Sequence, residues 1–217
     1  MDLSLLQIYE KCLHAKYIDI GGGDYSIERD QERLWIFLQW SDEKEDWIKN
    51  FDFPKKTYKN GNDVWFCHRG FLNSWKLVRD EIEKRVEEEL GKTGEGVLPI
   101  KEIICVGYSH GAALTVLCKE DMEYLFGNSV RISGYAYACP RVIWGRIPKN
   151  VSERIRDIVV INNFGDIVPH LPPLIFGFRN VGQIKIIGDK NTKRGPIKSH
   201  LEDAYKSVLR DYKEEVK

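Results

Sequence analysis

Residues 103–114 read IICVGYSHGAAL, and this stretch decides how the rest of the chain is interpreted. An apolar, β-branched run leads into Gly107-Tyr108-Ser109-His110-Gly111, and small helix-forming residues follow. A sharp turn between a strand and a helix lifts a serine hydroxyl clear of the backbone, and glycines two residues on either side prevent collisions at the crossing. The stretch therefore predicts that Ser109 is a nucleophile. The alternative is an ordinary serine in a glycine-rich turn.

A nucleophilic serine needs a base, and the base needs an acid that orients it. Reactive groups in open α/β sheets gather beyond the carboxyl ends of the strands. Asp166 follows a predicted strand, whereas Asp157 precedes the same strand and would lie at the opposite edge. His200 follows the last predicted strand, which gives the chain order Ser, Asp, His. We therefore predict Ser109, Asp166 and His200 as the catalytic residues, and His170 as a pocket residue.

Short apolar runs with many β-branched residues recur along the chain, as in the buried strands of a largely parallel sheet. A helix over residues 112–126 lies between two of them, as in a βαβ crossover, and a long amphipathic helix runs from Phe71 to about Gly91. The predicted fold class is α/β, with the α/β-hydrolase fold and a mostly parallel central sheet flanked by helices. The predicted strands are residues 25–28, 34–40, 103–106, 130–137, 158–161 and 184–187.

Two further helices are predicted near the ends of the sequence. The first places Leu3, Leu6 and Leu13 on its apolar face. The last begins at Ser199, whose spacing from Glu202 has the form of a capping box.

Composition favours one domain that binds neither nucleic acid nor metal. The chain has 217 residues, of which 42% are hydrophobic, so residues 1–217 are expected to form a single domain. Lys+Arg and Asp+Glu both total 33, so no net charge attracts nucleic acid. The five scattered cysteines are expected to be free thiols, and no signal peptide or membrane-spanning run is recognised. These features predict a cytoplasmic protein without a metal or a cofactor.

With these motifs in place, the sequence resembles the class 3 lipases, whose fungal triacylglycerol lipases are the familiar members. The resemblance extends from about Leu34 to Tyr205 and implies the α/β-hydrolase fold, with Asp166 as the acid of the triad. His200 falls where the family has its histidine. The segments that carry the resemblance are residues 104–114 at the elbow, His68-Arg69-Gly70-Phe71, Tyr137-Ala138-Cys139-Pro140-Arg141-Val142, and residues 159–173 around the acid.

The oxyanion hole and the pocket are predicted in part from that resemblance. The backbone N–H of His110, directly after the nucleophile, is one expected oxyanion donor. The family usually has Phe-Arg-Gly-Thr where this chain has Leu38-Gln39-Trp40-Ser41, and alignment on Asp46-Trp47 makes Ser41 the expected second donor, through its backbone N–H and hydroxyl. Tyr108 stands where the family usually has histidine. The predicted pocket residues are Trp40, Tyr108, His170, Leu174, Ile175 and Phe176, although core packing explains the last three equally well.

These residues predict a serine esterase or lipase that cleaves an acylglycerol or another lipid-like ester through an acyl-enzyme. The charged segment at residues 42–59 has no obvious apolar lid, so a soluble esterase and an interfacial lipase that transiently contacts a membrane or micelle both remain open. Two alternatives use the same fold: a catalytically silent scaffold protein and an acyltransferase. The sequence does not indicate the oligomeric state.

Overall fold

The structure is a computed structural model that describes residues 3–20, 23–39, 54–190 and 195–212. In this part of the chain no helix is both long and apolar enough to span a membrane. The helices are α1 (Leu5–His14), α2 (Arg69–Leu90), α3 (His110–Phe126), α4 (Lys149–Ile155) and α5 (Glu202–Asp211). The strands are β1 (Ile18–Asp19), β2 (Asp24–Asp30), β3 (Arg33–Gln39), β4 (Lys55–Asn60), β5 (Asp63–His68), β6 (Glu102–Tyr108), β7 (Arg131–Tyr137), β8 (Ile143–Trp144), β9 (Val159–Asn163), β10 (Phe178–Arg179) and β11 (Gln183–Ile187).

The described residues form a main sheet with the strand order β1-β2-β3-β6-β7-β9-β11. Neighbouring strands in the series β3-β6-β7-β9-β11 are parallel, and β2 and β1 add an antiparallel edge. Parallel strands need long crossovers, which explains why these strands are spaced widely along the sequence. Helices α2, α3 and α4 lie in the first three crossovers, whereas the crossover from β9 to β11 contains 3-10 turns and β10. The predicted α/β class, with a mostly parallel sheet flanked by helices, is confirmed.

Alternation along the strands builds a core on each face of the main sheet. In β3, Leu34 and Ile36 belong to the core that contains α2 and α3, whereas Trp35 and Phe37 belong to the core that contains α1 and α5. Successive strand side chains point to opposite faces, so a strand buried on both faces must be apolar throughout. The main sheet is therefore the layer between two cores.

Helix α1 forms where predicted but buries a different face. Its buried residues include Ile8, Tyr9 and Cys12, whereas the predicted face of Leu3, Leu6 and Leu13 is only partly buried. Tyr9 is fully buried against other tyrosines, and this packing sets the rotation of the helix.

The C-terminal helix begins later than the capping pattern predicted. Ser199 lies in a 3-10 turn, Lys198–His200, and Leu201 is the N-cap of α5, with no side-chain capping bond. The predicted capping box of Ser199 and Glu202 is wrong because the chain turns before the helix starts. That turn is what carries His200.

A second, antiparallel sheet with the order β10-β8-β5-β4 was missed by the sequence analysis. Its hairpin turns at Gly61, which has φ 55°, and Asn60 is paired with Asp63 across a two-residue loop. Such loops favour residues that tolerate positive φ, so the loop pair Gly61-Asn62 was the available signal. Buried Trp65 alternates with exposed Val64 along β5, as expected for a sheet covered on one face.

Asp121, on α3, joins the second sheet to the helix layer. Its carboxylate accepts hydrogen bonds from Asn60 Nδ2 and Trp75 Nε1, both at 2.7 Å, and lies 3.0 Å from Arg79 Nε. The Asp121 side chain is completely buried. A buried carboxylate is tolerated only when paired and hydrogen-bonded, and here the partners come from β4 and α2.

We predict that Asp121→Ala lowers the free energy of unfolding by about 3–5 kcal/mol, because it leaves buried donors and a cation without their acceptor. Glu83→Ala is the matched control, since Glu83 binds the same arginine, Arg79, at 2.7 Å from a partly exposed position on α2. It should cost less than about 1 kcal/mol. Chemical denaturation measures both, and equal losses would contradict the role given to Asp121.

Candidate active site

Ser109 occupies the sharp turn between β6 and α3. Its backbone has φ 57° and ψ −120°, a region that residues with a Cβ rarely adopt. The turn also leaves no space for side chains on either side. A Cβ on Gly107 would lie 2.2 Å from the carbonyl oxygen of Gly111, and one on Gly111 would lie 2.0 Å from that of Leu38. The glycines of the motif are therefore required by close backbone contacts.

The structure brings Ser109, His200 and Asp166 into one hydrogen-bonded chain. Ser109 Oγ lies 2.8 Å from His200 Nε2, and His200 Nδ1 lies 2.9 Å from Asp166 Oδ2. Asp166 is 1% exposed and His200 is 8% exposed, whereas Ser109 is only partly buried. The acid is thus shielded from water while the hydroxyl is accessible. Chemically, the arrangement can move a proton from Ser109 to His200 and stabilise the resulting imidazolium.

The register of the parallel sheet positions the acid and the base. β9 and β11 are neighbours, and their last residues, Asn163 and Ile187, are paired. The chain leaves both strands at the same edge of the sheet, where the Phe164 N–H donates to the carbonyl of Ile187 at 2.7 Å. The Asn163 side chain then donates to the Ser199 carbonyl at 2.9 Å and holds the turn that carries His200.

Tyr205 is a site residue that the sequence analysis missed. Its hydroxyl donates to Asp166 Oδ2 at 2.7 Å and accepts from the Asn163 N–H at 2.9 Å. Burial, reinforced by the Asp166 carboxylate, raises the pKa of Tyr205 well above its usual value, so the hydroxyl remains a donor. The Val168 N–H donates to the other oxygen, Asp166 Oδ1, at 2.9 Å. Both oxygens of the acid are therefore fixed. No local sequence pattern marks this role for Tyr205.

His110 opens α3 and is kept neutral. Its ring lies 3.3 Å from Ser74 Oγ and meets Phe71 edge to face. Burial, with a further effect from His68, lowers the pKa of His110 to about 3. A neutral ring adds no charge beside Ser109, where the N-terminus of α3 already favours an anion.

The described residues among the predicted pocket residues have different surroundings. Tyr108 stacks on His200, whereas the His170 side chain is exposed and contributes its backbone oxygen to Arg141. Leu174, Ile175 and Phe176 are 61%, 87% and 50% exposed in a 3-10 turn, so the core-packing explanation for them is wrong. Trp40 and the predicted oxyanion donor Ser41 lie outside the described residues.

The described residues contain no cluster of three or more His, Cys, Asp or Glu side chains that could hold a metal ion.

A family model for lipase (class 3) matches residues 36–176, which include the elbow and Asp166. The chain belongs to the class 3 lipase family. Among its relatives, the secreted mono- and diacylglycerol lipase A of Penicillium cyclopium is 35% identical over 159 residues, and the secreted mono- and diacylglycerol lipase 1 of Fusarium solani is 27% identical over 161 residues. Each alignment covers 73% of this chain but only 49% and 45% of those proteins, so the chain spans about half their length.

The fold of this member of the class 3 lipase family is similar to that of a solved structure. The triacylglyceride lipase of Rhizomucor miehei superimposes with a TM-score of 0.67 at 24% identity, covering 85% of this chain and 79% of the other. This likeness supports the α/β-hydrolase fold that the elbow predicted.

The predicted cytoplasmic location is wrong, because both fungal relatives named above are described as secreted. The free thiols were one of the features on which that prediction relied. All five cysteines are indeed free, but all are also buried. Burial raises the pKa of Cys12, Cys67 and Cys139 to about 12, which disfavours the reactive thiolate. Because buried thiols of this kind react slowly, free cysteines here do not indicate whether the protein is cytoplasmic or secreted.

We predict that Ser109→Gly is more stable than Ser109→Ala by about 1 kcal/mol. Glycine relieves the strain of about 1–3 kcal/mol that a residue with a Cβ has at positive φ. Part of that gain is lost because glycine gives up more conformational entropy on folding. The matched control is Ser152, exposed in the regular helix α4, where Gly should be less stable than Ala by about 0.5–1 kcal/mol. Thermal unfolding of the four variants measures the two differences. The same sign at both positions would contradict the strained turn.

Proposed function

We propose that this chain is a serine hydrolase that cleaves carboxylic esters of lipid-like molecules. The observation that carries the proposal is the continuous hydrogen-bonded chain from Ser109 through His200 to a fully buried Asp166. Membership of the class 3 lipase family supports the same chemistry. The strained turn is a further support, since a strained conformation at a polar residue is typical of functional sites.

In the first half of the reaction, Ser109 Oγ attacks the ester carbonyl carbon while His200 Nε2 takes its proton. Asp166 holds the imidazole in the tautomer with a proton on Nδ1 and stabilises the imidazolium. The tetrahedral intermediate then collapses: the bond to the alcohol oxygen breaks, and His200 returns the proton to that oxygen. The alcohol leaves and the acyl group stays on Ser109.

Negative charge on the carbonyl oxygen is stabilised by backbone donors. The N–H of His110 opens α3 directly after the nucleophile, where the helix dipole favours an anion. We propose Ser41 as the second donor, on the basis of its family alignment. Each such donor contributes about 10²–10³ in turnover.

In the second half, water replaces the alcohol. His200 Nε2 takes a proton from the water as its oxygen attacks the acyl carbon, and Ser109 leaves with that proton. The carboxylic acid is released and the hydroxyl is restored.

Two groups of exposed apolar residues support a lipid-like substrate. Ile197 and Leu201, 57% and 52% exposed, flank the turn that carries His200. The second group is the exposed apolar turn Leu174–Phe176. It begins three residues after Leu171, whose carbonyl accepts a 2.7 Å hydrogen bond from the N–H of Arg141, four residues beyond the end of β7. The fungal relatives are named mono- and diacylglycerol lipases, and we propose acylglycerols or similar esters here, with transient contact to a lipid surface.

We predict that Ser109→Ala lowers kcat on p-nitrophenyl butyrate about 10⁶-fold and Asp166→Asn about 10⁴-fold, as expected when the nucleophile or the tautomer of its base is lost. A fluorophosphonate should label the wild type and spare Ser109→Ala. Ser152→Ala is the control, because this serine is exposed on α4, and it should leave activity unchanged. Equal activity and labelling in the wild type and Ser109→Ala would exclude the proposed mechanism.

We predict that Ile175→Ser lowers the rate on an emulsified long-chain ester about five- to tenfold, because it removes one apolar side chain from the lipid contact. The rate on soluble p-nitrophenyl butyrate should not change, since Ile175 is 87% exposed and contributes little to folding. Leu77→Ser is the control at an exposed leucine on α2. Unchanged rates on both substrates would show that the apolar turn does not contact lipid.

A further inference from the structure

Tyr108 covers one face of the proposed base. The rings of Tyr108 and His200 are nearly parallel, at 16°, with their centroids 5.3 Å apart. This is an offset stack, an arrangement that aromatic rings favour. Because the imidazole also binds Ser109 and Asp166 through its two nitrogens, the stack adds a third constraint, perpendicular to the plane of the ring.

The Tyr108 hydroxyl binds the backbone of the same residue. It donates to the carbonyl oxygen of His200, 92 positions away in the sequence. Burial, together with the carboxylates of Asp166 and Glu202, raises the pKa of Tyr108 well above its usual value, so the phenol keeps the proton it donates. The short 3-10 turn that carries His200 is thus anchored to the strand that carries the nucleophile.

Other tyrosines support Tyr108 in turn. Tyr9 of α1 meets its ring edge to face at 5.5 Å, and Tyr205 of α5 meets it at 5.6 Å. Tyr205 also binds Asp166, so the acid and the base share one aromatic support. With Tyr9 and Tyr205 packed against it, the Tyr108 ring is held in place.

We propose that Tyr108 is a positioning residue that aligns His200 with Ser109 for proton transfer. This inference rests on the proposed function. Tyr108 is covalently bonded to Ser109, and it contacts both the ring and the backbone of His200. A displacement of the turn is therefore opposed by the residue next to the nucleophile. The chain uses tyrosine where its family usually has histidine, and the phenol reaches the backbone through its hydroxyl while presenting an aromatic face.

The test compares Tyr108→Phe, which keeps the stack and loses the hydroxyl, with Tyr108→Leu, which loses both. On p-nitrophenyl butyrate we expect kcat to fall about fivefold in Tyr108→Phe and about fiftyfold in Tyr108→Leu, with KM unchanged within about twofold in both. A misplacement of about 1 Å can cost 10²-fold in rate. The low-field proton NMR signal of the His200–Asp166 hydrogen bond should broaden in Tyr108→Leu and persist in Tyr108→Phe. If Tyr108 only stabilised the fold, its substitution would leave this signal unchanged in the folded protein and would not lower kcat at constant KM.

Tyr58→Leu is the control, because it is the same change of residue type and Tyr58 is even more deeply buried, but Tyr58 packs on Trp65 in the second sheet. It should lower stability and leave kcat and the signal unchanged in the folded protein. If folded Tyr108→Leu keeps the wild-type kcat while Ser109→Ala is inactive, the role of Tyr108 is overturned but the proposed function is not. Activity in Ser109→Ala would instead overturn the proposed function. If Tyr108→Leu does not fold, wild-type kcat in Tyr108→Phe overturns the inference.

Discussion

The backbone conformation of Ser109 is the constraint on which the rest of the site depends. At φ 57° the serine stands clear of β6 and α3, but the chain passes so close to itself that Gly107 and Gly111 admit no side chain. Such strain persists only when the surroundings over-determine it. Here the surroundings are a strand in the middle of the main sheet and a helix whose first thirteen residues are all buried.

The parallel sheet then brings the partners of Ser109 to one edge. Asp166 and His200 follow neighbouring strands, so a separation of 34 residues in sequence becomes a hydrogen bond of 2.9 Å. Tyr205 and Asn163 complete the arrangement with donors that a buried carboxylate and a short turn require. Precision at this site comes from the supporting hydrogen bonds as much as from the three residues themselves.

The second sheet and the apolar turn Leu174–Phe176 are held to the rest of the fold by polar contacts. Asp121 fastens the hairpin to the helix layer by buried polar contacts, and the turn Leu174–Phe176 is fastened through its backbone, since Trp144 Nε1 donates to the Phe176 carbonyl at 2.8 Å. The turn can therefore expose apolar side chains without being buried itself. An exposed apolar group is an expected feature of a surface that meets amphiphilic molecules.

The sequence by itself determined the elbow, the α/β class and the family, because strands, helices and glycine-bounded turns are local patterns. It also selected Asp166 and His200, since their positions after predicted strands restrict them to one edge. Only the tertiary structure decided what depends on distant pairing: the hydroxyl of Tyr205 on Asp166, the ring of Tyr108 on His200 and the buried face of α1. The segment at Ser199 forms a turn and not the predicted capping box, because hydrogen bonds from Asn163 and Tyr108 hold it. Such contacts join residues far apart in the chain, and no local pattern records them.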